Sequence, residues 1–238
     1  MTPEEEKDFH LRYCRQISVS EIGMEGQQKL FDSGVFIIGC GALGSMVAMQ
    51  LAGAGIGKLG IADFDVIEIS NLQRQFFFRS EERGERKVQM LFSRIKDLNP
   101  QVEVESYPSM VTRKMAEGIL EEYDFIVDAT DNPESKKMIG EIAKSKRKPC
   151  CIAGVNGFGG QVITLLPNDS RFGEFFGDSA SEGILPCSLG GVIGPAAALC
   201  ASIQAAETIK FIIGKGELLS GKLLTFNLLT ASFKTFTL

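Results

Sequence analysis

Three glycines, Gly39, Gly41 and Gly44, stand in the spacing G-x-G-x-x-G. A turn of this kind can hold a phosphate chain against backbone N–H groups. Gly39 permits the tight turn, Gly41 lets phosphate approach the main chain, and Gly44 lets the next helix pack closely on the strand. Asp63 follows roughly 20 residues on, where such sites place an acid that accepts from a ribose hydroxyl, and Asp65 stands two residues beyond. To this point a dinucleotide dehydrogenase fits as well as a nucleoside triphosphate site. The cations separate the two. Transfer at an α-phosphorus makes a pyrophosphate leaving group and calls for Arg and Lys aimed at phosphate. Arg74, Lys87 and Arg15 are candidates in an otherwise acidic chain, and Asp131 is a candidate ligand for Mg²⁺.

Those residues need elements to position them. Gly34 to Gly39 is short, β-branched and almost wholly apolar, as a buried parallel strand should be. It runs into the glycine turn, a small-residue helix from Ala42 to Ala54, and a second strand from Lys58 to Asp63, which makes a βαβ unit. The alternation continues with helices at 87–98, 113–121 and 134–146 and strands at 102–107, 124–128 and 149–153. Asp131 then falls at the C-terminal end of the fourth strand, where open α/β sheets bind ligands. Residues 8–31 read as helical. From Gly159 the pattern changes to a strand at 159–165 with no helix behind it, and a long loop at 167–188. A helix to about Ile213 and strands near 223–228 and 231–236 complete the pattern. The expected fold is α/β: a Rossmann-like, mostly parallel sheet with helices on both faces, continuing into antiparallel strands. One domain spans 1–238, with a nucleotide-binding half at 1–150 and a carrier-binding and dimerisation half at 151–238.

Composition narrows the function further. The 238 residues carry a net charge of −5, with 44% hydrophobic and 23% charged side chains, which is ordinary for a globular protein. The acidity argues against a nucleic-acid partner. The acidic, polar N-terminus is not expected to act as a secretory signal. The apolar run Leu185–Ile203 is broken by Gly190, Gly191, Gly194 and Pro195 and reads as buried helix rather than membrane span, so the chain is expected in the cytoplasm. The six cysteines include no C-x-x-C pair. All except Cys187 are expected to be small buried hydrophobes, and adjacent Cys150 and Cys151 on a strand would face opposite sides. His10, the single histidine, lies outside every motif.

The segments Arg12–Gln16, Gly39–Gly44, Asp63-Phe64-Asp65, Ser70-Asn71-Leu72-Gln73-Arg74-Gln75, Lys87, Ala129–Asn132 and Gln204–Lys210 together resemble the ThiF/MoeB/HesA family, bacterial relatives of the ubiquitin-activating enzymes. The resemblance spans nearly the whole chain. It implies an adenylyltransferase using ATP and Mg²⁺, in which the C-terminal Gly-Gly carboxylate of a ubiquitin-like sulfur carrier attacks the α-phosphate. It places Gly39, Gly41, Gly44, Asp63, Asp65, Ser70, Asn71, Gln73, Arg74, Lys87, Asp131 and Asn132 at the nucleotide. It further implies a homodimer in which Arg15 reaches the neighbouring subunit's ATP. An α-carboxylate, with a reference pKa of about 3.5, is already ionised at pH 7 and needs no general base, which suits a chain with one histidine. Relatives that hold a structural zinc do so with two C-x-x-C pairs, and this sequence has neither, so no zinc is expected. Cys187, in Leu185-Pro186-Cys187-Ser188, stands where some relatives carry a cysteine that links to the carrier. As a thiolate at a helix start it could attack the acyl-adenylate, and a buried inert thiol is the alternative.

Within the resemblance, a thiamine-thiazole (ThiF-like) role leads, with molybdopterin synthase activation (MoeB-like) and a tRNA-modifying dehydratase as alternatives. An NAD-dependent oxidoreductase and a non-catalytic nucleotide-binding module are the readings from other classes.

Overall fold

The computed structural model describes residues 3–168 and 190–238. β1 (Gly34–Ile38) is buried at every position and pairs in parallel with β2 (Lys58–Ala62), which pairs in parallel with β3 (Glu103–Tyr107). On its other side β1 pairs in parallel with β4 (Phe125–Asp128), followed by parallel β5 (Cys150–Asn156). Antiparallel β6 (Gly159–Leu165), β7 (Lys222–Asn227) and β8 (Ser232–Thr237) complete one continuous sheet in the order β3-β2-β1-β4-β5-β6-β7-β8. The strand order reverses between β1 and β4. That reversal is the topological switch point of a doubly wound sheet, where the loops leaving the two strands diverge and open a crevice.

Helices cover both faces. The larger core lies under α3 (Gly44–Ala54), α4 (Lys87–Leu98) and α7 (Gly194–Ile213), and the smaller one under α5 (Arg113–Ile119) and α6 (Pro133–Ser145). Cys151 belongs to the first core and Cys150 to the second, as strand alternation requires. α7 is long and apolar enough to cross a membrane. It packs instead on β5, β6, α3 and α2 (Gly23–Phe31), and Gln204 in its middle donates to the carbonyls of Asp128 and Cys151.

The N-terminal helical stretch differs from expectation. It is two helices, α1 (Pro3–Ile17) and α2, separated by turns at 18–22. The Ser18 hydroxyl donates to the Cys14 carbonyl at 2.8 Å and ends α1 locally, and Gly23 at φ +56 restarts the chain in a new direction. α1 is then pinned by Tyr13, whose hydroxyl accepts from Asn99 at 2.7 Å. Cys14 is exposed rather than buried, because Tyr13 occupies the inward position of that turn.

A polar clamp holds the β3 edge. Glu105 accepts from the hydroxyls of Tyr107 and Tyr123 at 2.7 and 2.8 Å and pairs with Lys58 at 2.9 Å. The Lys58 partnership and the two hydroxyls pull its carboxyl down to about 2. A depressed carboxyl contributes stability above its unfolded value and loses it as pH falls through the folded one. The clamp's contribution, about 1–2 kcal/mol once solvent screening is discounted, should therefore fade between about pH 4.5 and 2. Calorimetric melting of the wild type and Glu105→Gln across that range checks this: the two melting temperatures should converge at the acid end, and a constant gap would contradict it.

Candidate functional site

The crevice at the switch point is a cleft of about 660 Å³, within the roughly 300–1,000 Å³ range of small-ligand sites. Its floor is the glycine turn after β1. Gly39 adopts φ +94, and a Cβ there would lie 2.8 Å from the Ala129 carbonyl oxygen. At Gly44 a Cβ would meet the Gly39 carbonyl oxygen at 1.7 Å, so α3 starts directly against the turn. Gly41 is open, with the Gln75 Nε2 nearest at 3.6 Å. The N–H groups of Gly41, Ala42 and Leu43 carry no hydrogen bond among the described residues. They lie at the positive end of α3, an arrangement that takes an anion.

Asp63 ties this turn to β2. Its Oδ2 accepts from the Cys40 N–H at 2.6 Å and its Oδ1 from the Asp65 N–H at 2.7 Å. Lys87 opens α4 almost fully buried, with Nζ 2.9 Å from Asp65 Oδ2. A buried ammonium at a cleft wall, paired with one exposed carboxylate that water screens, can also take a phosphate oxygen. Arg74 also lines the cleft, and its guanidinium donates to the Ser70 carbonyl at 3.0 Å, leaving its other donors free among the described residues. Asn71 is nearly buried, and its Oδ1 accepts the Glu68 N–H at 3.1 Å in a reciprocal cap of a short 3₁₀ turn, Ile69–Asn71. Its amide N–H₂ makes no hydrogen bond among the described residues, which suits a phosphate or ribose oxygen.

Across the cleft lies the loop after β4. Asp131 lines it and makes no hydrogen bond or ion pair among the described residues. Asn132 lines the cleft too, but its Oδ1 accepts the Ser135 N–H at 2.7 Å and caps α6. This loop is braced from below by a pair that the sequence did not single out. Asp128 and Lys136 are both buried, with Oδ1 and Nζ 3.4 Å apart. Asp128 Oδ1 also accepts from the Thr130 N–H and hydroxyl at 2.9 and 2.7 Å, while Lys136 donates to the Ala153 carbonyl at 2.8 Å. The pair crosses β4, α6 and β5, and so holds the backbone that carries Asp131.

The ThiF family pattern matches residues 13–238. The chain belongs to the ThiF family. It is 36% identical over 234 residues, 95% of this chain and 86% of the relative, to the sulfur carrier protein adenylyltransferase of Thermus thermophilus. It is likewise 36% identical over 211 residues, 88% and 83% of the two chains, to the sulfur carrier protein ThiS adenylyltransferase of Escherichia coli. Among solved structures, PaaA superimposes with a TM-score of 0.83 at 27% identity, covering 100% of this chain and 74% of that one.

In this ThiF-family chain, ten of the residues expected at the nucleotide line one cleft: Gly39, Gly41, Asp63, Asp65, Asn71, Gln73, Arg74, Lys87, Asp131 and Asn132. Gly44 stands behind the turn in its packing role. Ser70 is not on the lining: its hydroxyl donates to Glu68 and its carbonyl accepts from Arg74. Arg15 is exposed at the end of α1 and does not line its own chain's cleft. Gln73 spends its amide N–H on the Val192 carbonyl at 3.2 Å, joining this wall to the segment entering α7. Among the described residues no group of three His, Cys, Asp or Glu side chains is placed to hold a metal ion. Cys187 lies outside the described residues. Cys40, Cys150 and Cys151 are buried thiols whose desolvation pushes them well above the usual range, which suits inert packing.

Proposed function

We propose that this chain is an ATP-dependent adenylyltransferase that activates the C-terminal Gly-Gly carboxylate of a ubiquitin-like sulfur carrier protein. The observation that carries the reading is the convergence of Lys87 and Arg74 with the open amides of the glycine turn on one cleft, with the unpartnered carboxylate of Asp131 facing them. A nicotinamide site has one pyrophosphate to neutralise. This cleft offers cations and helix-end amides for more charge than that, and the names of its relatives support the same class.

The chemistry follows from charge. A carboxylate oxygen of the carrier attacks the α-phosphorus of ATP, the bond to the β-phosphate oxygen breaks, and pyrophosphate leaves. Neither partner needs a proton moved, so alignment and neutralisation of charge are the enzyme's task. Lys87 and Arg74 bind phosphate oxygens, the turn amides hold the chain in place, and Asp63 takes the ribose. Asp131, free of competing partners, would hold Mg²⁺. Mg²⁺ is commonly bound by one or two carboxylates plus substrate phosphates, so a single such residue fits. When bound, the ion would neutralise charge on the leaving pyrophosphate. Arg15, exposed and absent from the lining of its own chain's cleft, is assigned to the neighbouring subunit's ATP in a homodimer. We place the enzyme in the cytoplasm without zinc, with a thiamine-type carrier favoured by the ThiS-directed relative.

Exchange of labelled pyrophosphate into ATP tests the reading. It should appear only when a carrier ending in Gly-Gly is added, and be strongest with a ThiS-type carrier. Nicotinamide-cofactor binding without exchange would overturn it.

A further inference from the structure

Asp128 and Lys136 are buried charges, 0% and 2% exposed, and neither lines the cleft. The residues they bind do line it. Asp128 Oδ1 accepts from the N–H and the hydroxyl of Thr130, and the Lys136 ammonium donates to the Ala153 carbonyl. From the opposite face of the sheet, Gln204 Nε2 donates to the Asp128 carbonyl at 3.0 Å and to the Cys151 carbonyl at 3.2 Å. The last residue of β4 is thus fixed through its main chain by α7 and through its side chain by α6. The next residue meets the phosphate turn: the Ala129 N–H donates to the Ile38 carbonyl at 2.9 Å, and its own carbonyl oxygen crowds Gly39.

Stability alone does not account for this pair. Burying two charges costs desolvation, which a pair repays only with close geometry and satisfied lone pairs. Here Oδ1 and Nζ are 3.4 Å apart, and Asp128 Oδ2, also buried, has no hydrogen-bond partner. Every donor converges on the other oxygen. An apolar pair of similar volume would commonly serve the core as well. It could not bind Thr130 twice, at N–H and at hydroxyl, one residue before Asp131. Those two bonds fix the direction in which Asp131 leaves the strand, and Lys136 ties the same point to the end of β5.

We propose that Asp128 and Lys136 are positioning residues for the transfer step, holding the Asp131 loop in register with the end of β5 so that the Asp131 carboxylate meets the phosphate chain. This inference rests on the adenylation reading. It gives the buried pair a role in turnover that its contribution to stability does not supply.

The test removes both charges together, so that neither is left buried and alone. Asp128→Val/Lys136→Met should melt within about 5 °C of the wild type. Without nucleotide or carrier, its Thr130 amide should exchange with solvent at least about tenfold faster. In carrier-driven pyrophosphate exchange its kcat should fall about 10–100-fold, with the Kd for ATP within about twofold. In an Asp131→Ala background the double substitution should cost less than about twofold more. Lys136→Arg, which keeps the charge and a donor for Ala153, should recover most of the kcat. If the double variant melts early, Asp128→Asn replaces it, with a loss of about three- to tenfold in kcat and the same unchanged Kd for ATP. Wild-type kcat in a stably folded double variant, losses that multiply with Asp131→Ala, or unaltered Thr130 exchange would overturn the assignment. Absence of pyrophosphate exchange in the wild type with every carrier would refute the adenylation reading itself, while the Thr130 amide still reports on the positioning.

Discussion

Arg74→Ala should lower carrier-dependent pyrophosphate exchange by about 10³-fold or more, with Asp131→Ala comparably impaired, while both proteins keep the wild-type fold. Arg74 is partly exposed and makes a single hydrogen bond within the protein, to the Ser70 carbonyl. Truncating it therefore removes little packing. Asp131 is exposed and unpartnered among the described residues, so its loss removes no fold contact. The effect of each change falls on the bound ATP. Arg74→Lys offers a further discrimination: lysine restores the charge but not the planar fork, so partial recovery is expected. Exchange at the wild-type rate in Arg74→Ala and Asp131→Ala would remove both from the site.

Two glycines of one turn should behave in opposite ways. A methyl at Gly44 would sit 1.7 Å from the Gly39 carbonyl oxygen and 3.2 Å from the Ala129 side chain. Backbone cannot yield as a flexible side chain does. Gly44→Ala should therefore push α3 off β1, destabilise the protein by about 3 kcal/mol or more, and abolish ATP binding. Gly41→Ala meets nothing nearer than 3.6 Å and has no positive φ to strain. It should unfold within about 1 kcal/mol of wild type yet raise the KM for ATP, because the methyl fills the space through which phosphate approaches the main chain. Thermal unfolding and ATP titration of the two variants separate these roles. Equal stability of the pair would refute the packing argument.

What was readable in the sequence was local or periodic. Gly34–Ile38 is a run of buried strand residues, the glycine turn follows at once, and Lys58–Ala62 completes the unit. Those patterns depend on neighbours a few positions apart, so α/β class and the switch-point cleft followed. Residues 8–31 carry a helical pattern with no visible break, because the break at 18–22 depends on a side-chain hydrogen bond from Ser18 and a left-handed Gly23. Asn132 and Asn71 line the cleft as expected of residues at the nucleotide, and each also accepts a backbone N–H with its side-chain oxygen in a cap. Their sequence signal, an Asn beside Pro133 and a Glu68 three residues before Asn71, is the signal of capping. The Asp128–Lys136 brace and the orphaned Asp128 Oδ2 depend on burial and long-range contact, which no local pattern encodes. Exposed Cys14 shows the same limit: apolar character alone could not say that Tyr13 would take the inward place.

In the proposed reaction a carrier carboxylate attacks the α-phosphorus of ATP in this cleft. Labelling both C-terminal carboxylate oxygens of a Gly-Gly sulfur carrier with ¹⁸O tests it most directly. The labelled carrier is incubated with the enzyme, Mg²⁺ and ATP, the adenylate is released with a thiol, and the nucleotide is analysed by mass spectrometry. Attack at the α-phosphorus predicts one ¹⁸O in AMP and none in pyrophosphate. Unlabelled AMP, or ADP with label in inorganic phosphate, would contradict it.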